Sequence, residues 1–215
     1  FNYNGDDLHI ENLSFAKTGD KLLVKTAFKK IWRHSNTGTY FIYDLVEKNL
    51  ETLTHDNENL RNVKFSPDGS RVAYVREDNN LYVYELGRKR ERRLTRTGSE
   101  TILNGHFGWL YEEELTGYDG YRWSPDGKFI TLVHSTGGSY HIALLNLTSG
   151  YINVLTDGPL DESPSFAPNG SMVIYATTGR RGGQLAAISV DGRIKQRLGL
   201  HQGDVREPAW GPFLK

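Results

Sequence analysis

Phe65-Ser66-Pro67-Asp68-Gly69 decides the fold, because variants of it recur along the chain, each time at the end of one strand-like run and ahead of another. The other copies are Phe15-Ala16-Lys17-Thr18-Gly19-Asp20, Trp123-Ser124-Pro125-Asp126-Gly127, Phe166-Ala167-Pro168-Asn169-Gly170 and a truncated Trp210-Gly211-Pro212. An aromatic closes one strand, Pro presets φ near about −65° at the second turn position, and Asp-Gly or Asn-Gly supplies left-handed backbone. The motif is therefore a tight hairpin turn, and the aromatic before it is expected in the core. Asp68, Asp126 and Asn169 are expected to accept backbone N–H groups, not to act as metal ligands or catalytic carboxylates.

Outward from the motif, each unit reads as four strands. Around Phe65 these are Arg61 to Phe65, Arg71 to Val75, the alternating Leu81 to Leu86, and Arg92 to Thr95. The first unit matches with Leu13 to Phe15, Lys21 to Thr26, Thr39 to Leu45 and Glu51 to Thr54. The third has Gly120 to Trp123, Phe129 to His134, Tyr140 to Leu147 and Tyr151 to Thr156; the fourth has Ser163 to Phe166, Met172 to Thr177, Gln184 to Val190 and Ile194 to Leu198. Second turns such as Thr148-Ser149-Gly150 and Val190-Asp191-Gly192 make the strands antiparallel neighbours. The motif glycines at 19, 69, 127 and 170 are 50, 58 and 43 residues apart, which brackets the period of a four-stranded propeller blade. The expected fold is all-β, a β-propeller with about four four-stranded antiparallel blades in this chain. No segment shows sustained helical periodicity, and a sandwich would not repeat its strands in fours.

Composition narrows the function classes. Among 215 residues Lys plus Arg equals Asp plus Glu at 26 each, so neither a basic field for nucleic acid nor an acidic tail is present. Absence of Cys removes disulfide and thiol chemistry without choosing a compartment. No apolar run approaches the roughly 20 residues of a membrane span, and Phe1-Asn2-Tyr3-Asn4 is no signal peptide; the chain reads as soluble, with a first residue that looks like a cut.

One insertion breaks the period. Thr101 to Tyr118 precedes the third unit and carries His106, Phe107, Trp109 and Tyr111, followed by Glu112-Glu113-Glu114. Three adjacent carboxylates repel, so they are either splayed into water or turned toward a cation.

Here the sequence resembles known families. Asn104-Gly105, Trp109-Leu110-Tyr111-Glu112-Glu113-Glu114 and Trp123 to Gly127, with Trp32-Arg33-His34-Ser35, Thr39-Tyr40 and Ile42-Tyr43-Asp44-Leu45 upstream, are similar to the propeller domain of the dipeptidyl peptidase IV family of serine peptidases. The resemblance runs from about Leu8 to Ile130 and implies that Glu113 and Glu114 hold the amino terminus of a peptide, with Arg33 on a substrate carbonyl. Paired carboxylates suit an ammonium with three donors, and Arg supplies a fixed fork. From about Phe129 the chain resembles instead the carboxy-terminal blades of the TolB family, periplasmic propellers of the Tol–Pal system. That likeness rests on Gly137-Gly138, His141-Ile142-Ala143, Val154-Leu155, Leu160 to Ser165, Ala167 to Tyr175 and Pro208-Ala209-Trp210. The two meet at Trp123 to Phe129, a turn motif shared by both. The chain thus reads as one continuous propeller domain, a chimera by design or recombination, with peptidase-like blades over 1–128 and TolB-like blades over 129–215.

The resemblance does not bring catalysis. A serine peptidase of this kind keeps its nucleophile on a Gly-x-Ser-x-Gly elbow in a separate hydrolase domain, and no such motif occurs here. The His residues at 9, 34, 55, 106, 134, 141 and 201 show neither triad nor metal-ligand spacing, and His34 is expected to buttress its turn. No cofactor or metal is expected. Three functions remain: a non-catalytic scaffold, a TolB-like module for a peptide or lipoprotein partner on the propeller face, and a peptidase fragment that still recognises peptide amines. Val205 to Trp210 reads as a first strand without its own unit, so either Phe1 to Ile10 and Leu13 to Phe15 are displaced to let it close a small ring, or the chain is an open half-ring that pairs with a second copy; self-association into a closed ring is the favoured expectation.

Overall fold

The computed structural model describes residues 1–115, 117–179, 182–199 and 203–211; Pro212 of the last motif copy and His201 lie outside the described residues. The chain forms two compact units, Phe1–Arg96 with Trp109–Tyr118, and Thr97–Gly108 with Asp119–Lys215.

The first unit contains two four-stranded antiparallel sheets. One is β3 (Asn12–Phe15), β4 (Lys21–Lys30), β5 (Asn36–Asp44) and β6 (Asn49–Thr52); the other is β7 (Arg61–Phe65), β8 (Arg71–Val75), β9 (Leu81–Glu85) and β10 (Arg90–Arg93). Both are meanders, as short turns between successive strands dictate. Leu23, Ile42 and Leu53 pack against Leu60, Val72 and Tyr74. The opposite face of the first sheet, with Leu22, Val24 and Phe41, is covered by Tyr3, Leu8 and Ile10. Tyr3 belongs to a two-stranded ribbon of β1 (Asn2–Tyr3) and β2 (Asp6–Asp7). Fully burying such side chains contributes roughly 1.5–3 kcal/mol each.

The second unit has a five-stranded sheet in which β13 (Phe129–Thr136) pairs with β11 (Ile102–Asn104), β12 (Tyr121–Trp123) and β14 (Ser139–Asn146), and β14 with β15 (Ile152–Val154). A four-stranded sheet follows: β16 (Glu162–Phe166), β17 (Met172–Gly179), β18 (Gly182–Ser189) and β19 (Lys195–Leu198). Among the described residues there are thus five antiparallel sheets, where the sequence repeat leads one to expect about four. The fifth is the amino-terminal ribbon, which has no turn motif to announce it.

The turns obey their chemistry. Ser66 N–H donates to Arg71 O at 2.8 Å, Gly69 N–H to Ser66 O at 2.9 Å, and Ser70 N–H to Asp68 Oδ1 at 3.2 Å. Matching bonds recur at Ser124 to Phe129 and, with Ala and Asn in place of Ser and Asp, at Ala167 to Met172. Only the glycine has positive φ, 67° at Gly69; Asp68 does not share the left-handed backbone.

Four expectations fail. Phe15 is 68 % exposed and Trp210 40 %, so the aromatic before the turn is not always core: Phe15 stands on β3, an edge strand whose residues are all exposed. A helix exists, α1 (Trp109–Leu115), built from strong helix formers but too short to show a period. Val205 to Trp210 forms no strand. Glu207 has φ 50° and Pro208 follows it, and the segment is tied by Val205 N–H to Gly183 O at 3.2 Å and Trp210 N–H to Ser165 Oγ at 3.2 Å. Finally, the His34 side chain is exposed, and it is the backbone N–H of His34, not its ring, that holds the turn.

Candidate functional site

The β4–β5 connection carries Trp32-Arg33-His34-Ser35, closed locally by Ile31 N–H donating to Ser35 O at 3.0 Å. Such a turn points the N–H groups of His34 and Ser35 outward, and α1 supplies their acceptor. Glu112 Oε1 takes His34 N–H at 2.6 Å and Ser35 N–H at 2.7 Å. Burial pushes the Glu112 carboxyl up, but the hydrogen bonds from Ser35 and His34 and the Arg61 charge outweigh this and hold it below the usual carboxylate range. Glu112 is 1 % exposed.

The three glutamates separate because consecutive helical residues point about 100° apart. Glu112 faces inward, Glu114 is exposed, and Glu113 Oε1 lies 2.8 Å from Arg33 Nη2. Neither sequence alternative for the triplet covers all three: one carboxylate caps a turn, one meets a cation, one meets water. The Arg33 side chain is 62 % exposed, so the ion pair itself contributes only about 0–1 kcal/mol. What places Arg33 beside Glu113 is therefore the buried Glu112 bond pair.

Arg61 of β7, which sequence reasoning passed over, backs this arrangement. It is buried, its guanidinium lies 5.9 Å from the Trp32 ring, and burial brings its pKa down to about 10 against the opposing pull of Glu112. Its Nε and Nη2 have no hydrogen-bond partner among the described residues. Asn62 Nδ2 donates to Tyr118 O at 3.0 Å, anchoring the chain beyond the helix. Gly117 lies so close over the Tyr111 ring that a Cβ there would sit 2.5 Å from Tyr111 Cε1. The only sequence signal for Arg61 was its place at the start of a strand, which says nothing about burial. Among the described residues no group of three or more His, Asp or Glu side chains is arranged for a metal.

Antiparallel sheets repeated around one turn motif, with a short glutamate helix docked on an Arg-bearing loop, put the chain among all-β proteins of β-propeller type. It belongs to the family described as the dipeptidyl peptidase IV (DPP IV) N-terminal region, whose model matches residues 16–136, and the TolB beta propeller domain matches residues 112–214. The chain is thus a composite of the two, and the matches overlap across the segment where the two resemblances meet. The Tol-Pal system protein TolB of Thioalkalivibrio sulfidiphilus is 58% identical over 86 residues, covering 40% of this chain and 20% of that protein. The TolB protein of Nitrosococcus oceani is 55% identical over 83 residues, covering 39% and 19%. The aligned part thus spans about a fifth of the length of these relatives. Among solved structures, Porphyromonas gingivalis dipeptidyl peptidase 4 superposes with a TM-score of 0.81 at 21% identity, over 88% of this chain and 32% of that one, a likeness of fold. TolB from Acinetobacter baumannii gives 0.62 at 32% identity, over 96% and 47%. No helix among the described residues is long and apolar enough to cross a membrane.

Proposed function

We propose that the chain is a non-catalytic β-propeller segment whose first unit keeps a weak site for the amino terminus of a peptide. Glu113 and Glu114 take the ammonium, and Arg33 takes the first carbonyl. The observation that carries this reading is the 2.8 Å pair of Arg33 with Glu113, set by the buried Glu112 bonds rather than by its own exposed attraction. The family match over 16–136 supports the roles. In this reading the four larger sheets are propeller blades, peptidase-like over 1–128 and TolB-like over 129–215, joined by design or recombination within one propeller. Affinity for a lone dipeptide is millimolar or weaker, near about −4 kcal/mol, because the carboxylates face water. NMR titration with a free dipeptide and its N-acetylated form tests it: shifts in the Glu113 and Glu114 amides for the free amine alone support the site, and equal shifts for both ligands remove it.

A second reading, a TolB-like module for a protein partner or for a second copy of the chain, is favoured by the fully exposed strand β3 with Leu13 and Phe15 on it. Mass in solution at micromolar concentration, for the wild type and for Phe15→Ser, tests it. A strictly monomeric wild type that captures no Pal-like lipoprotein would set it aside.

A further inference from the structure

In the second unit β13 and β14 are joined through Gly137-Gly138, with φ of 60° and 88°, a two-residue connection that fixes the register of everything beyond it. Thr136 is opposite Ser139, Ser135 opposite Tyr140, and His134 opposite His141. The two histidines therefore stand on one face of the sheet, where facing Cβ atoms lie about 4.5–5.5 Å apart. That spacing lets two imidazoles reach one ion.

On the other side of His134, Asn104 of β11 is its cross-strand neighbour, and Asn104 Oδ1 lies 2.9 Å from His134 Nδ1. Asn104 is buried and its Nδ2 donates to Thr97 Oγ1 at 3.2 Å, so its oxygen is turned to the imidazole. A histidine ligand characteristically donates its second ring N–H to such an oxygen, which fixes tautomer and ring orientation. His134 has that support in place. His141 brings a buried Nδ1 without a hydrogen-bond partner among the described residues. The carboxylate of Asp157, which senses His141, is engaged by Lys195 Nζ at 2.8 Å and is not counted as a ligand.

We propose that His134 and His141 form a two-imidazole site for a divalent transition ion such as Zn²⁺, Ni²⁺ or Cu²⁺, which clamps the β13–β14 hairpin. With two protein ligands, water completes the coordination, so binding is micromolar rather than as tight as a closed four-ligand site. Copper should bind more tightly than nickel or zinc.

The test is calorimetric titration of the untagged chain with zinc and nickel chloride. One ion per chain is expected, with affinity falling at least tenfold in His134→Ala and in His141→Ala and unchanged in the exposed His9→Ala and His55→Ala. A wild type that binds no more tightly than the double His134→Ala, His141→Ala variant would overturn the proposal. A readout that needs no substitution is the imidazole Cε1–H spectrum of the wild type on adding zinc: the His134 and His141 signals should move together, and movement of neither, or only of other histidines, would equally overturn it.

Discussion

Glu112 accepts the backbone N–H of Ser35 at 2.7 Å, although 77 residues separate them. The same oxygen takes His34 N–H at 2.6 Å, so one buried carboxylate fixes the loop that carries Arg33. The glutamate triplet is thereby divided: Glu112 holds the loop, which leaves Glu113 and Glu114 for the proposed amine site.

Removing that carboxylate should be costly. Glu112→Ala leaves two N–H groups without their acceptor and should destabilise the chain by about 3 kcal/mol, with Glu112→Gln, which keeps an oxygen, losing less. Glu113→Gln breaks only an exposed pair and should stay within about 1 kcal/mol. Urea midpoints check the order; equal losses for Glu112→Ala and Glu113→Gln would mean the loop is held by something else.

Acid should weaken the fold through the same group. The Glu112 carboxyl lies below its ordinary 4.5, and Ser124 hydrogen bonding with the Lys128 charge holds Asp126 below its ordinary 3.8. Because both folded values are depressed, their contribution is complete above the ordinary values and is lost as pH falls through the folded ones. Stability measured downward from pH 5 should therefore decline less steeply in Glu112→Gln than in wild type, and parallel curves would contradict this.

Two turn glycines should respond differently to alanine. Both Gly19 and Gly69 have positive φ, 77° and 67°, which alone costs an L-residue about 1–2 kcal/mol. At Gly69 a Cβ would also sit 2.7 Å from Thr18 Oγ1, whereas at Gly19 it meets nothing within 4 Å. Thermal melts should place Gly69→Ala below Gly19→Ala, with Thr18→Ala partly rescuing the former. Equal melting temperatures would show that backbone strain is the whole effect.

Much of the fold was readable because turn chemistry is local. Ser189-Val190-Asp191-Gly192 even builds the same turn without its proline: Ser189 N–H donates to Ile194 O at 2.9 Å and Asp191 Oδ1 accepts Arg193 N–H at 3.1 Å. What the sequence did not disclose depends on contacts far apart in the chain. Alternation in Leu13 to Phe15 cannot say that nothing packs on Phe15, and seven helical residues are too few to reveal a period. Family resemblance pointed to Arg33, Glu113 and Glu114, of which the structure pairs Arg33 with Glu113 and leaves the binding role a proposal; the structural roles of Glu112 and Arg61 were not legible, since burial of a charge follows from tertiary partners.

The non-catalytic reading proposed above expects binding without turnover. No cleavage of a chromogenic dipeptide substrate is expected from the purified chain. Activity that follows the protein peak through successive columns would contradict a non-catalytic reading.

The central claim, a retained amine site, is tested most directly by the dissociation constant of a free dipeptide measured by NMR for wild type and for Glu113→Gln, Glu114→Gln. The site predicts saturable millimolar binding that weakens at least fivefold in the double variant, while Glu112→Gln alters it only as far as it loosens the loop. Identical titration curves for wild type and double variant would mean that Glu113 and Glu114 are solvated residues on a structural helix.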